Sequence, residues 1–442
     1  LSALLLAGCA TQTYAPKPIA PEQASQQFLA RTAADAGLAD VPAWDLAVLT
    51  QAAIKLHPDM QTAKARLLAA RAAETSAGQK ANPTISAGGE HHGKADGVSP
   101  WTFSLALGIP IETNGKREAR MEQAAAFSES ARLDIAKTAW QVRSRLRNSL
   151  LDGYAIQRRI TRLQDEKQVL AEIAAQLEAR FNAGLASSIE LSNARLQLRR
   201  AQTALDNETV RLREAGAALA AAIGLPESAV ELNRVSYAAF EKTPGNLPAK
   251  EVQRAALLNR LDVRQALAVY AASEAKLKLE IAKQIPDVNL GPSYGWDQGD
   301  NRWGLGVSLL LALVNKNEGA IAEADAQREL EARKFEALQA TVIGEQEQAL
   351  ALLTTAMAEA ERAQVLVKAE QARLAQSQRQ FDLGQIDRLE LNFARLQLVT
   401  AESVASEAQI RVQQWLGRLE DAVQQPLDGS VRLDAEVLQE EK

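Results

Sequence analysis

The chain has 442 residues (47.7 kDa), a formal net charge of −5 and an isoelectric point near 5.6, so it offers no basic surface for nucleic acid. Hydrophobic residues make up 47%, yet much of that is alanine and only 4% of the chain is aromatic. That is the composition of long, closely packed helices rather than of a globule with a thick core. No apolar run approaches the roughly 20 residues a transmembrane helix needs, so any membrane crossing must be made by strands.

Residues 1–9 read Leu-Ser-Ala-Leu-Leu-Leu-Ala-Gly-Cys, an apolar run that ends in small residues before the only cysteine of the chain. This is the pattern of a signal-peptide end, and Leu6-Ala7-Gly8-Cys9 resembles the bacterial lipoprotein processing box. With no initiator methionine and no basic n-region ahead of it, the start reads as truncated. Cleavage before Cys9 and acylation of its thiol are expected, so the one covalent group is a lipid and no other cofactor is foreseen. Ala10, rather than an acidic residue, follows the acylation site, which in such lipoproteins accompanies sorting to the outer membrane. A single cysteine excludes an internal disulfide.

Residues 10–43, with Pro16, Pro18, Pro21 and Pro42 and no sustained apolar seam, read as a surface tether with a short helix at 22–36. A duplicated unit follows, with first repeat 44–224, connector 225–248, second repeat 249–420 and an acidic tail 421–442. Its clearest sign is a seven-residue seam, Leu191, Leu198, Leu205, Leu212 and Leu219, answered 200 residues later by Leu391, Leu398, Ala405, Val412 and Leu419. Ala-Arg-Leu-Gln-Leu is identical at 194–198 and 394–398, and Phe181-Asn-Ala-Gly184 is matched by Phe381-Asp-Leu-Gly384.

Within the first repeat a helix is predicted from about Asp45 to Lys80, kinked at Pro58. The period then changes to two: Trp101, Phe103, Leu105, Leu107 and Ile109 alternate with Thr102, Ser104, Ala106 and Gly108. With the weaker alternation of 84–91 they form a β-hairpin at about 84–109. The second repeat has its hairpin at 286–311, where Val288, Leu290, Pro292, Tyr294 and Trp296 share one face and Trp303, Leu305, Val307 and Leu309 continue it. The strands are close to the length of a tilted membrane crossing. Trp101, Trp296 and Trp303 join Tyr294 near the turn ends, where an interfacial aromatic girdle sits. The opposite face is too small and polar for a second apolar layer and suits a wet lumen.

After each hairpin comes a long helix, at about 116–181 and 318–381, then a glycine turn (181–185 and 381–385) and a returning helix, 185–223 and 386–420. The 66 residues of the first long helix span roughly 100 Å. The two short helices of a repeat therefore match it only if they stack end to end, which puts the connector beside their junction. One chain supplies four strands, too few for a closed barrel, and open edges are not tolerated in lipid. Subunits must pool their strands, which makes the assembly an oligomeric, membrane-anchored conduit. The fold expected is a mixed α/β membrane protein built of two helix–β-hairpin–helix units.

These features together resemble the outer-membrane efflux protein (TolC-like) family over about residues 44–420. The resemblance implies a homotrimer with a twelve-stranded β-barrel, continued by a long periplasmic α-helical barrel with an equatorial girdle. It implies an exit duct in the outer membrane, with most of the mass periplasmic. The partners implied are a periplasmic adaptor, an inner-membrane transporter of the resistance-nodulation-division type, and outer-membrane lipid. Ile109-Pro-Ile-Glu-Thr-Asn-Gly-Lys-Arg-Glu-Ala-Arg120 and Leu313-Val-Asn-Lys-Asn-Glu-Gly319 look most like the branch that exports heavy-metal cations. The second stretch departs from that branch in having Ala312 near the place of a common proline. Export of organic compounds or type I secretion is the alternative, and a lipid-anchored coiled-coil scaffold without a pore is the rival outside the channel class.

Gly184 and Gly384 permit the sharp reversals at the tip, which in the family is the closed end. Glu390 falls where relatives carry an acidic ring in the constriction; Asp387 and Asp382 are further pore candidates, and Arg388 or Arg395 a counter-charge. His57, His91 and His92 read as exposed residues rather than metal ligands, since no third ligand or carboxylate cluster stands at a defined spacing. No Gly-x-Ser-x-Gly, His-Glu-x-x-His or phosphate loop is present, and the chain is not read as an enzyme.

Overall fold

Alternation of period two over 84–111 and 288–309 produces a single four-stranded antiparallel sheet in a computed structural model that describes residues 13–93, 97, 99–242, 260–311 and 314–427. The strands are β1 (Thr84–His91), β2 (Trp101–Ile111), β3 (Val288–Asp297) and β4 (Asp300–Leu309), in that order across the sheet. Each hairpin pairs with itself, and β2 joins β3 to link the repeats, with Phe103 opposite Trp296, Leu105 opposite Tyr294 and Ile109 opposite Leu290. β2 runs two residues past the predicted end because Pro110 and Ile111 pair with Asn289 and Val288. Gln298 and Gly299 both take positive φ (53° and 115°) to close β3 onto β4, as a two-residue hairpin turn requires. β1 and β4 are left as unpaired edges.

The helices are α1 (Pro21–Leu29), α2 (Leu46–Leu56), α3 (Pro58–Ala77), α4 (Lys116–Asn182), α5 (Ser188–Ile223), α6 (Leu261–Ala282), α7 (Glu318–Asp382) and α8 (Arg388–Val423). Helices α4 and α7, of 67 and 65 residues, run the length of the molecule. Toward the sheet they pack beside α3 and α6; toward the glycine turns they pack beside α5 and α8. α4 touches helices of both repeats and is the spine of the chain. The predicted seams face inward: Leu191, Leu219, Leu391, Val412 and Leu419 are buried, as are Ile156, Leu170 and Leu177 on α4. Among the described residues no helix is long and apolar enough to cross a membrane.

The kink expected at Pro58 is a full break. The residue before a proline is driven out of the helical region, and His57 is extended (φ −62°, ψ 132°), so α2 stops and α3 restarts with Pro58 in its first turn. The segment expected to be a tether is one only at its start. Leu38 and Trp44 are fully buried with Leu49, Met60, Leu146, Leu150, Ile223, Leu225 and Phe240 at the mid-height of the bundle. Trp44 N–H donates to Arg234 O (2.8 Å) and its carbonyl accepts from Ser236 N–H (3.0 Å), tying the N-terminal segment to the connector. Arg31 donates to Leu56 O (3.2 Å) and Gly224 O (2.9 Å), bridging the ends of α2 and α5. Cys9, residues 243–259, Ala312, Leu313 and the tail from 428 lie outside the described residues.

Candidate functional site

The two glycine turns are built alike. Gly184 N–H donates to Phe181 O (3.0 Å) and Leu185 N–H to Arg180 O (2.8 Å); Gly384 and Gln385 repeat this with Phe381 and Gln380 at 2.9 and 2.8 Å. These bonds close the long helices with a residue in the left-handed region, φ +75° at Gly184 and +70° at Gly384. A Cβ at either glycine would meet nothing within 4 Å, so backbone angle, not space, selects the residue.

The returning helices start differently. In the first repeat Ser187 caps α5 and Glu190 reaches back to it: Glu190 Oε2 accepts from Ser187 N–H (2.7 Å) and Ser187 Oγ (2.8 Å). Those bonds hold the Glu190 carboxyl below its ordinary range. In the second repeat Asp387 is the cap, and its Oδ1 accepts from Leu389 N–H (2.8 Å) and Glu390 N–H (3.0 Å). Its other oxygen takes a hydrogen bond from Arg180 of the first long helix. The Glu390 N–H bond first, and Arg180 second, depress the Asp387 carboxyl. Glu390 is thereby spared the capping role of its counterpart Glu190 and stands exposed.

The other predicted tip residues are placed as follows. Asp382 accepts from Gln378 Nε2 one turn earlier (2.9 Å). Arg388 is exposed. Arg395 does not pair with Glu390; it reaches across to Glu172 of α4 (3.5 Å), because Leu389, Leu396 and Val399 pack with Val169, Ile173 and Leu177 and turn that side of α8 toward the first repeat. Arg180 and Glu172, the residues that tie the two repeats at the tip, were not anticipated. Ser187-x-x-Glu190 is legible as a capping box, whereas nothing local marks an arginine that reaches a partner 207 positions away.

At the opposite end, the apolar row is exposed: Phe103 is 52%, Trp303 82% and Leu305 74% accessible. Trp101 stacks on Phe103 (5.9 Å between centroids), Phe103 on Trp296 (6.1 Å), and Tyr294 lies against Trp303 (4.8 Å), forming an aromatic band at the turn ends. The other face carries Thr102, which donates to Asp297 (2.7 Å), and Arg302, which pairs with Asp297 (2.8 Å). Between sheet and helices, Lys116 pairs with Asp287 (2.6 Å), and Asn114 and Asn317 donate to Ala282 O (3.1 Å) and Glu280 O (2.8 Å). The Asn-Gly-Lys motif and its counterpart thus lock both strand-to-helix joints onto the end of α6.

His57, expected to be exposed, is buried; its Nδ1 accepts from Asp59 N–H (3.1 Å) and caps α3. His91 packs edge-on against Trp101 (4.7 Å) and His92 lies 3.1 Å from Thr102 Oγ1. Among the described residues no group of three or more His, Cys, Asp or Glu side chains is arranged to hold a metal ion.

The outer membrane efflux protein family matches residues 49–225 and 252–423, both repeats and most of the chain. The cobalt-zinc-cadmium resistance protein CzcC of Cupriavidus metallidurans is 27% identical over 236 residues, 51% of this chain and 54% of that protein, so the chain spans about half the length of that relative. Among solved structures, the outer-membrane channel OprN superposes with a TM-score of 0.69 at 18% identity, covering 86% of this chain and 89% of that one. The outer membrane protein VceC of Vibrio cholerae does so with a TM-score of 0.68 at 19% identity, covering 86% and 95%. The duplicated helical walls, the paired glycine turns and the exposed four-stranded sheet are those of this fold, and the chain belongs to the outer membrane efflux protein family.

Proposed function

We propose that the chain is the outer-membrane exit channel of a tripartite efflux pump, that three copies close a twelve-stranded barrel, and that the cargo is divalent heavy-metal cations. The observation that carries the channel is the sheet: one exposed apolar face, one small polar face and two unpaired edges. Unpaired backbone groups in lipid cost several kcal/mol each, which favours closure with further copies. Single-channel conductance and native mass spectrometry in detergent test this; a conducting trimer is the expected result, and a stable non-conducting monomer overturns it. The cargo rests on the Ile109–Arg120 motif and on the similarity to a cobalt-zinc-cadmium resistance protein. A deletion strain should lose tolerance to zinc, cobalt or cadmium; sensitivity confined to organic compounds overturns the cargo and leaves the channel.

A periplasmic adaptor and a resistance-nodulation-division transporter complete the pump, and a lipid on Cys9 adds an anchor. Cys9→Ser should abolish palmitate labelling while leaving the barrel able to insert, since the exposed sheet face buries far more apolar area than acyl chains. Glu390 lines the constriction. Its carboxylate is the one at the paired glutamate positions that no cap consumes, and three copies around an axis favour cations. Glu390→Gln should shift the reversal potential in a potassium chloride gradient toward lower cation preference; an unchanged potential removes Glu390 from the pore.

A further inference from the structure

At mid-height a cavity of about 760 Å³ is walled by α4 on one side and α7 on the other, over the point where the end of α8 meets the start of α6. The junction beneath it is stitched shut: Arg260 donates to Ala422 O (2.9 Å) and Leu261 N–H to Gln424 Oε1 (2.8 Å). The cavity therefore sits in the middle of the chain's own wall, away from the edges that a second copy would cover.

Six charged side chains line it, and five are engaged within the chain. Arg145 bonds Asp59, and Arg260 bonds Glu345 (2.9 Å) as well as Asp262 (2.7 Å). Asp421 accepts from Ser144 Oγ (2.8 Å), and burial pushes its carboxyl up. Arg418 is exposed and has no ion-pair partner among the described residues. Trp415, three residues earlier on the same side of α8, is half-buried and also lines the cavity. The other tryptophan there, Trp140, is buried under the Arg143 guanidinium (4.9 Å). With the carboxylates matched, what remains unspent is one guanidinium beside one indole. The 200-residue offset sets Ala215 and Ala218 at the places of Trp415 and Arg418, so the pair belongs to the second repeat alone and gives one site per chain.

The direction of the mouth follows from what covers the other side of the wall. Arg147 and Tyr154 of α4 lie against Phe240 (5.6 and 5.8 Å), and Gln413 of α8 donates to Lys242 O (2.7 Å), so the connector covers that side. Ser144 and Arg145 on α4, with Trp415 and Arg418 on α8, lie roughly half a turn round their helices from those contacts. In a tube of pooled chains the connector fits on the outside, where it leaves the duct clear, and the cavity then opens inward.

We propose that this cavity binds an organic anion inside the duct, its carboxylate on Arg418 and its flat apolar body against Trp415. A guanidinium pairs with a carboxylate through two parallel hydrogen bonds, an indole face takes an aromatic ring, and the volume suits a small molecule. Aromatic carboxylates thus form a ligand class distinct from metal cations. Only the inward direction of the mouth rests on the channel reading.

Isothermal titration of the detergent-solubilised protein with naphthoate, and with its uncharged amide, tests the site. Wild type should bind one naphthoate per chain and the amide far more weakly. Arg418→Gln should weaken naphthoate by about 10- to 100-fold, the worth of a charge-assisted hydrogen bond. Trp415→Leu should weaken both compounds, whereas Arg199→Gln, at an exposed arginine of α5, should match wild type. Melting temperatures close to wild type show that the variants are folded. No saturable uptake by wild type, equal affinity for acid and amide, or unchanged naphthoate affinity in either cavity variant overturns the site. In planar bilayers naphthoate should interrupt the single-channel current of wild type and not of Arg418→Gln. Binding without interruption in a conducting protein overturns the inward placement. Binding by a protein that never conducts upholds the site and refutes the channel.

Discussion

At the junction of α2 and α3, the cap depends on a neutral imidazole. His57 Nδ1 accepts from Asp59 N–H, and a protonated ring has no lone pair to offer. Burial, more than any nearby charge, pushes the His57 pKa down, with Arg145 in the same direction and Asp59 opposing. The unfolded chain thus binds this proton at a higher pH than the folded one, and stability falls as pH drops below the ordinary histidine value of about 6.5. The melting temperature should decline between pH 7.5 and 5.5, and His57→Asn, which keeps a cap without titrating, should flatten that decline. His57→Ala should cost about 1 kcal/mol at neutral pH as a lost cap. Asp387 provides a contrast in the same experiment. Its depressed carboxyl contributes above the ordinary carboxylate range and loses that contribution only as pH falls through its lowered value, so the tip should be indifferent to the same window. An unchanged pH profile in His57→Asn would show that the decline comes from elsewhere.

Between α4 and α8, toward mid-height, an ion cluster replaces the apolar seam. Glu420 accepts from Arg143 (3.0 Å) and faces Arg147 (3.3 Å), with all three side chains almost fully buried. Removing one member strands the others without water, so Glu420→Ala should destabilise by about 3–5 kcal/mol, read by chemical denaturation of the detergent-solubilised protein. Arg147 also donates to Gln413 O (3.0 Å), and it lies so close to α8 that a Cβ at Gly417 would collide with Nη1 and stand 3.0 Å from Cζ. Gly417→Ala gains about 1 kcal/mol of helix propensity, yet displacing a buried, paired guanidinium costs more. A net loss of about 1–2 kcal/mol is expected, and a net gain would show that Arg147 can move freely.

Across the whole molecule, β1 and β4 are the edges of the one sheet, and the proposed barrel requires β4 of one copy to pair with β1 of the next. Pro83 and Gly88 correspond to Pro286 and Gly291, an offset of 203, and Trp101 corresponds to Trp303, an offset of 202. Applied to the observed pair Leu105–Tyr294, these offsets set Val307 of one copy opposite His91 of the next. Both residues lie on the exposed apolar side of the sheet, as a closed barrel demands. Val307→Cys with His91→Cys in the Cys9→Ser background should oxidise to a ladder that stops at the trimer. A ladder ending at the dimer would contradict twelve strands, and linkage only with residue 90 or 92 would show a slipped register.

Much of this architecture is written locally. Alternation at 101–109 and 303–309, seven-residue seams at 191–219 and 391–419, and Gly184 and Gly384 at matched offsets each depend on residues a few positions apart. Backbone periodicity and left-handed φ are local properties, so strands, long helices, turns and duplication are legible without a structure. The pairing of β2 with β3, the burial of His57 and Trp44, and the ties of Arg180 to Asp387 and Arg395 to Glu172 are different in kind. Each joins groups far apart in the chain, and side-chain chemistry alone does not say which of many carboxylates an arginine will reach. Only the stacking of two repeats about α4 decides that, by bringing one side of α8 against the first repeat.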